Sequence, residues 1–212
     1  MQINPKVIDI SHYDDVEVIG TDWAGFRKVR AAGYVGVINK VTQGRGILDK
    51  SYLRRRPHAV EAGLEWGAYH YFDGSDPIEQ ADNFLTEAQI DGRTLMALDH
   101  ETRGVPLDNA REFMEHVQRQ TGRYPWLYSG FLIKEQMGNS FDPFWAGIKL
   151  WLSHYSANPK WPPCWEKPTL WQFTGEGIGP GPHDVPGVTI AGGCDINSFA
   201  GTDGELRAIW AT

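Results

Sequence analysis

The sequence has only two cysteines in 212 residues, Cys164 and Cys194. Their separation fits neither a CxxC redox pair nor a zinc-ligand spacing, so neither chemistry is expected. They can bridge only if the fold brings them together, and two reduced buried thiols explain them equally well. Basic residues are also scarce: 20 Lys and Arg against 27 Asp and Glu leave a formal charge of −7. That balance opposes a nucleic-acid binder, because phosphate contacts depend on Lys and Arg. No apolar run approaches the length of a transmembrane helix, so no membrane insertion is expected. The opening MQINPKVIDISHYDD has neither the basic n-region nor the long apolar h-region of a Sec signal peptide. Synthesis in the cytoplasm is therefore expected, with any work outside the cell following release or export by another route. Internal repeats are absent.

What is present is an ordinary globular composition, 41% hydrophobic and 22% charged, enough to bury a real core. Short β-branched runs alternate with longer helical stretches. KVIDIS (6–11), YVGVINKV (34–41), EWGAYHYF (65–72), LMALDHE (95–101) and YPWLYS (124–129) read as strands. Helices are predicted over 22–33, capped by Asp22 and ended by Gly33, and over 49–64, with Pro57 as an irregularity. Two more follow over 76–89 and 106–122. Beyond residue 129 the helical signal fades, and 148–156, 168–174 and 194–199 read as three further strands joined by Gly- and Pro-rich loops. Strand–helix alternation predicts an α/β fold with a parallel sheet. About eight strands, the last few without helices, predict a single domain over 1–212 built as an incomplete or flattened TIM-like β/α barrel.

In such a barrel the active site lies at the C-terminal strand ends. Asp9 falls near the end of the first strand, Asp99 and Glu101 at the end of the fourth, and Asp195 in the last. Residues two apart on a strand share a side, so Asp99 and Glu101 project together while His100 turns away to pack behind the strand. Clustered carboxylates oppose each other's ionisation, so one can hold a proton and act as a general acid while a partner stays charged. Glycoside hydrolysis needs such a pair. Alone, an acid-x-acid pair at a strand end reads equally well as a strand running into a polar turn.

The sequence resembles the glycoside hydrolase family 25 lysozymes (N-acetylmuramidases) through a series of segments in the family's order over residues 7–201. These are DISHY, TDW, INKVTQG, AGLEWGAYHYF, ALDHE, LYSG, LWLSHYSANP, LWQFT and CDINSFAG. It departs from the family at Val41, at Gln43 where Glu is usual, and at Cys194. The resemblance implies that Glu101 is the general acid, that Asp99 orients the substrate or stabilises the cationic centre, and that Asp9 and Asp195 complete an acidic floor. It implies hydrolysis of the β-1,4 bond between N-acetylmuramic acid and N-acetylglucosamine, with peptidoglycan glycan strands as partner, no cofactor and no metal. A monomer is expected, and the mode of release resembles that of a phage or prophage endolysin.

Lys40, Tyr69, Tyr71, Tyr128, Tyr155, Trp171 and Gln172 are the expected substrate-binding residues, although Tyr69, Tyr71 and Trp171 read equally well as core. The Arg54–Arg55–Arg56 run reads as a charged outer helix face rather than an anion site. His70 is opposite in parity to Tyr69 and Tyr71 and is expected to be structural. The alternatives to an active muramidase are a peptidoglycan-binding module without catalysis and a metal-dependent barrel hydrolase.

Overall fold

The computed structural model describes residues 1–212. Its first half holds β1 (Pro5–Ile10), β2 (Asp15–Val16), α1 (Ala24–Ala31), β3 (Gly36–Gln43), β4 (Ile47–Leu48), α2 (Ser51–Glu61), β5 (Glu65–Tyr71), α3 (Pro77–Ala88) and β6 (Leu95–Asp99). The second holds α4 (Leu107–Thr121), β7 (Trp126–Ser129), α5 (Phe131–Met137), α6 (Pro143–Ala146), β8 (Leu150–Ser153), β9 (Leu170–Thr174), β10 (Val188–Thr189), β11 (Asp195–Ser198) and α7 (Asp203–Ile209).

Eight strands close into a barrel in the order β1-β11-β9-β8-β7-β6-β5-β3, with β3 returning to pair with β1. All neighbours are parallel except at β11, which runs antiparallel to both β1 and β9. The expected all-parallel sheet is corrected there. A hydrophobic pattern records which side of a strand is buried but not its direction, and with no helix between β9 and β11 nothing forces a parallel crossover. The barrel and its missing late helices are as expected, with two differences. The short helices α5 and α6 fill the β7–β8 connection, and α7 follows the last strand.

Helix ends follow their local chemistry. Asp76 caps α3, its carboxylate accepting from the Ile78 and Glu79 amides, and Pro77 opens the first turn. α2 runs through Pro57 without a break. Asp22, expected to cap α1, instead pairs with Arg27, and Trp23 takes the cap position with no side-chain bond.

Alternation along the strands divides the core in two. Outward residues such as Ile8, Val37, Leu98 and Phe173 pack under the helices in one large cluster. Inward residues Val7, Ile38, Leu95, Trp126 and Leu170 fill the lower barrel. Leu206 and Trp210 close that end from α7 and just beyond it, and the Trp210 indole donates to the Trp66 carbonyl at 2.9 Å. Gly36 has no side chain because the Trp210 ring lies against its Cα. The lower barrel is thus solid and apolar, which leaves the upper end to the polar residues. Both cysteines are buried and free.

Candidate active site

At the upper end the same alternation turns polar side chains inward. Register sets Asp9 on β1 directly opposite Asp195 on β11. The antiparallel course of β11 matters here, because it brings that strand's first residue to the mouth; a parallel β11 would carry Asp195 toward the apolar floor. β6 ends on Asp99, so Glu101 lies two residues past the strand and not in it, which corrects the predicted strand end. Asp99 and Glu101 nevertheless face one cleft of about 480 Å³, together with Asp9 and Asp195. Lys40, Tyr69, Tyr71, Tyr128 and Tyr155 line it as well. A larger cavity of about 810 Å³, between α2 and α7, holds none of these acids.

Asp9 is the best-held carboxylate. Gln172 Nε2 donates to its two oxygens at 3.0 and 2.9 Å, and Asn197 Nδ2 donates to Oδ1 at 2.7 Å. The Gln172 carboxamide is itself oriented, since its Oε1 accepts from Tyr128 Oη at 2.8 Å and Tyr155 Oη at 3.0 Å. Gln172 is almost completely buried and does not line the cleft. It holds Asp9 in place from behind the cleft wall rather than facing the cleft as expected. Asn197 shares that role, with its Oδ1 accepting from the Trp151 indole.

Trp171 is not brought to the cleft. It is wholly buried in the outer shell against Phe173, and its indole donates to the His154 carbonyl at 2.9 Å. Since Gln172 points inward, strand parity sends Trp171 outward. His100 and His70 also lie outside the barrel wall, as expected. His100 Nε2 meets Gln136 Oε1 at 2.8 Å, and His70 sits between Thr42 and Gln80.

Crowded, desolvated carboxylates hold protons. Burial, opposed by the Asn197 and Gln172 hydrogen bonds, brings Asp9 up to about 7. Burial and the neighbouring Asp9 raise Asp195 to about 9. Asp99 is raised by burial and by the Glu101 charge, with Lys40 opposing, and its Oδ1 has no hydrogen-bond partner. Glu101 is also raised, by the protein packed around it and then by Glu176, although its side chain remains open to solvent at the mouth. That combination suits a group that must hold a proton and still reach a substrate. Lys40, the one cation in this cleft, donates to Gln43 Oε1 at 2.8 Å and lies 4.9 Å from the Tyr71 ring centre. The departure at Gln43 therefore leaves the Lys40 charge without a carboxylate at that contact.

Glu176 was not singled out from the sequence. It sits in the β9–β10 loop, lines the cleft, and holds a left-handed backbone at φ 52° with Gly177 following at 72°. Gly175 and Ile178 bridge around the pair, a tight turn that normally favours Asn-Gly or Gly. A side chain at Gly175 would strike Asp195 and Tyr155, so this turn is fitted to the site.

The comparisons agree with this geometry. The chain matches the profile of the glycosyl hydrolases family 25 over residues 8–182. It is 28% identical to a muramidase from Trichobolus zukalii, with a TM-score of 0.78 and 98% of each chain covered. A bacterial lysozyme from Streptomyces coelicolor is 25% identical with a TM-score of 0.79, covering 96% of this chain and 95% of the other. Lysozyme M1 of Streptomyces globisporus is 25% identical over 223 residues, 95% of this chain and 71% of that protein. By family match, barrel and acidic cleft together, the chain belongs to the glycosyl hydrolases of family 25.

Proposed function

We propose that Glu101 is the general acid with which this enzyme, a peptidoglycan hydrolase of lysozyme type, cleaves the β-1,4 bond between N-acetylmuramic acid and N-acetylglucosamine. The observation that carries the reading is the convergence of Asp9, Asp99, Glu101 and Asp195 on one barrel mouth, with Glu101 the exposed member. Protonated Glu101 gives its proton to the bridging oxygen as the bond from the muramic acid C1 breaks. Positive charge developing at that carbon is stabilised by the carboxylates beneath it, with Asp99 nearest the acid in sequence and Asp9 held in place by Gln172 and Asn197. Water then supplies hydroxyl to C1 and returns a proton to the carboxylates. Lys40 and the tyrosines line the walls that hold the sugar. Residues 1–212 act as one catalytic domain and as a monomer. The enzyme meets the wall after release from its cell of origin, as an endolysin does; lysis of cultures with and without membrane permeabilisation tests that route.

Mass spectrometry of fragments released from purified peptidoglycan tests the cleavage. Muramic acid is expected at the new reducing ends, and glucosamine there would sink the assignment. Glu101→Gln is expected to cut the rate by about 10²- to 10⁴-fold with the fold intact.

A further inference from the structure

The cleft continues past the barrel mouth. A second cavity of about 450 Å³ adjoins it and shares Glu101, Ser153 and Tyr155 as common wall. The rest of its lining has different chemistry: Arg103 from the β6–α4 loop, and Phe131 and Lys134 from α5. Phe131 and Lys134 stand three apart on one helix and so share a face. Phe131 leaves 61% of its surface exposed, a large ring that packs into no core. Neither Arg103 nor Lys134 enters any of the chain's ion pairs. Glu135 is the one other carboxylate in this wall, and it too is unpaired and exposed. Two free cations on a chain of net −7, beside a mouth lined by five carboxylates, separate charge along one continuous groove.

We infer that this second cavity is the leaving-group half of the substrate groove, in which Arg103 and Lys134 read carboxylates carried by the glycan and Phe131 underlies a pyranose ring. The inference rests on the muramidase reading above. Glu101 delivers its proton to the bridging oxygen, so the two sugars joined there lie on either side of Glu101. The sugar that becomes cationic belongs over the buried acids at the mouth. The departing sugar therefore lies over α5. In peptidoglycan the departing N-acetylglucosamine is followed by a muramic acid, whose lactyl group ends in a carboxyl, either free or extended by a peptide with carboxylates of its own. A strand entering in this direction brings its anions to Arg103 and Lys134. The unpaired cations thus give this half of the groove a charge contact that the neutral N-acetylglucosamine could not use.

The test compares the wild type, the double variant Arg103→Ala/Lys134→Ala and Phe131→Ala on two substrates. One is purified peptidoglycan, and the other is the same wall with its carboxylates converted to amides. For the wild type, KM is expected to rise roughly tenfold on amidation, the scale of two partly exposed charge pairs. The double variant should show most of that rise already on the native wall, with kcat changed much less than KM, and amidation should add under twofold. Its KM should also lose most of its dependence on salt. Phe131→Ala should raise KM on both walls alike. A double variant with wild-type KM on native wall, or one as sensitive to amidation as the wild type, overturns the inference. Failure of the underlying muramidase reading would look different: the wild type would release no muramic acid reducing ends from either wall.

Discussion

Glu176 shows how much one residue can carry. It occupies a turn position where L side chains are strained, at about 1–3 kcal/mol for such backbone, and its carboxylate lines the cleft. Its charge is the second cause, after burial, that raises the Glu101 carboxyl above its ordinary value. Removing that charge lowers the Glu101 pKa, so the protonated fraction is lost at lower pH. Glu176→Gln is therefore expected to move the alkaline limb of the kcat/KM profile downward. An unmoved limb would assign Glu176 elsewhere. At this scale the sequence was legible where parity could be applied, which covers all four acids and the two histidines. Trp171 and Gln172 show parity left unused: neighbours on a strand cannot both face the cleft, and the inward residue is the one that can hydrogen bond to an inward Asp9. Asn197 carried a usable signal, two residues from Asp195 on the same strand. Glu176 carried none, because a positive φ on a glutamate is a property of the closed loop.

Among the elements, α2 departs furthest from its sequence reading. The Arg54–Arg55–Arg56 run was expected to be a solvated face, and only Arg54 is exposed. Arg55 is buried and donates to the Ser11 and Asp14 carbonyls and to Asn39 Oδ1. Arg56 holds the Gln89 carbonyl and the Asp91 carboxylate. Three consecutive helical residues span most of a turn, so a basic run cannot all face water when the helix packs on a barrel. Through Arg55, α2 clamps the loop after β1, which supplies Ser11 and Tyr13 to the cleft. Arg55→Leu removes the donors and leaves these acceptors buried, at an expected cost of about 2–4 kcal/mol. A lower urea midpoint at unchanged m would register it. The first five barrel strands were legible because β-branched runs bounded by Gly and Pro mark them. α5 and α6, at seven and four residues, are too short to show a helical period.

Over the whole molecule, the acidic mouth sets stability against function. Asp9, Asp14 and Asp195 stand at about 7, 6 and 9, all above their ordinary value of 3.8. The folded chain therefore binds more protons than the unfolded chain between these limits. Linkage then fixes the sign: this contribution favours folding most below pH 4 and is lost as pH rises through the folded pKa values, between about 6 and 9. Asp195→Asn removes one of the repelling acids and is expected to stabilise the fold by about 1 kcal/mol at pH 8, with much less gain at pH 4, while hydrolysis collapses. Denaturation at the two pH values measures the difference.

The pairing of β1 with β11 has one more consequence. Asp9 and Asp195 face each other from the first and last strands of the barrel, and Asn197 reaches Asp9 across the same seam. A chain cut before β11 would carry Asp99 and the exposed Glu101 without Asp195 or Asn197 beneath them. It would also leave the partner edges of β1 and β9 unpaired. The acidic cluster is thus a property of closure: it has no partial form, and it is complete only when the last strand is threaded between the first strand and β9.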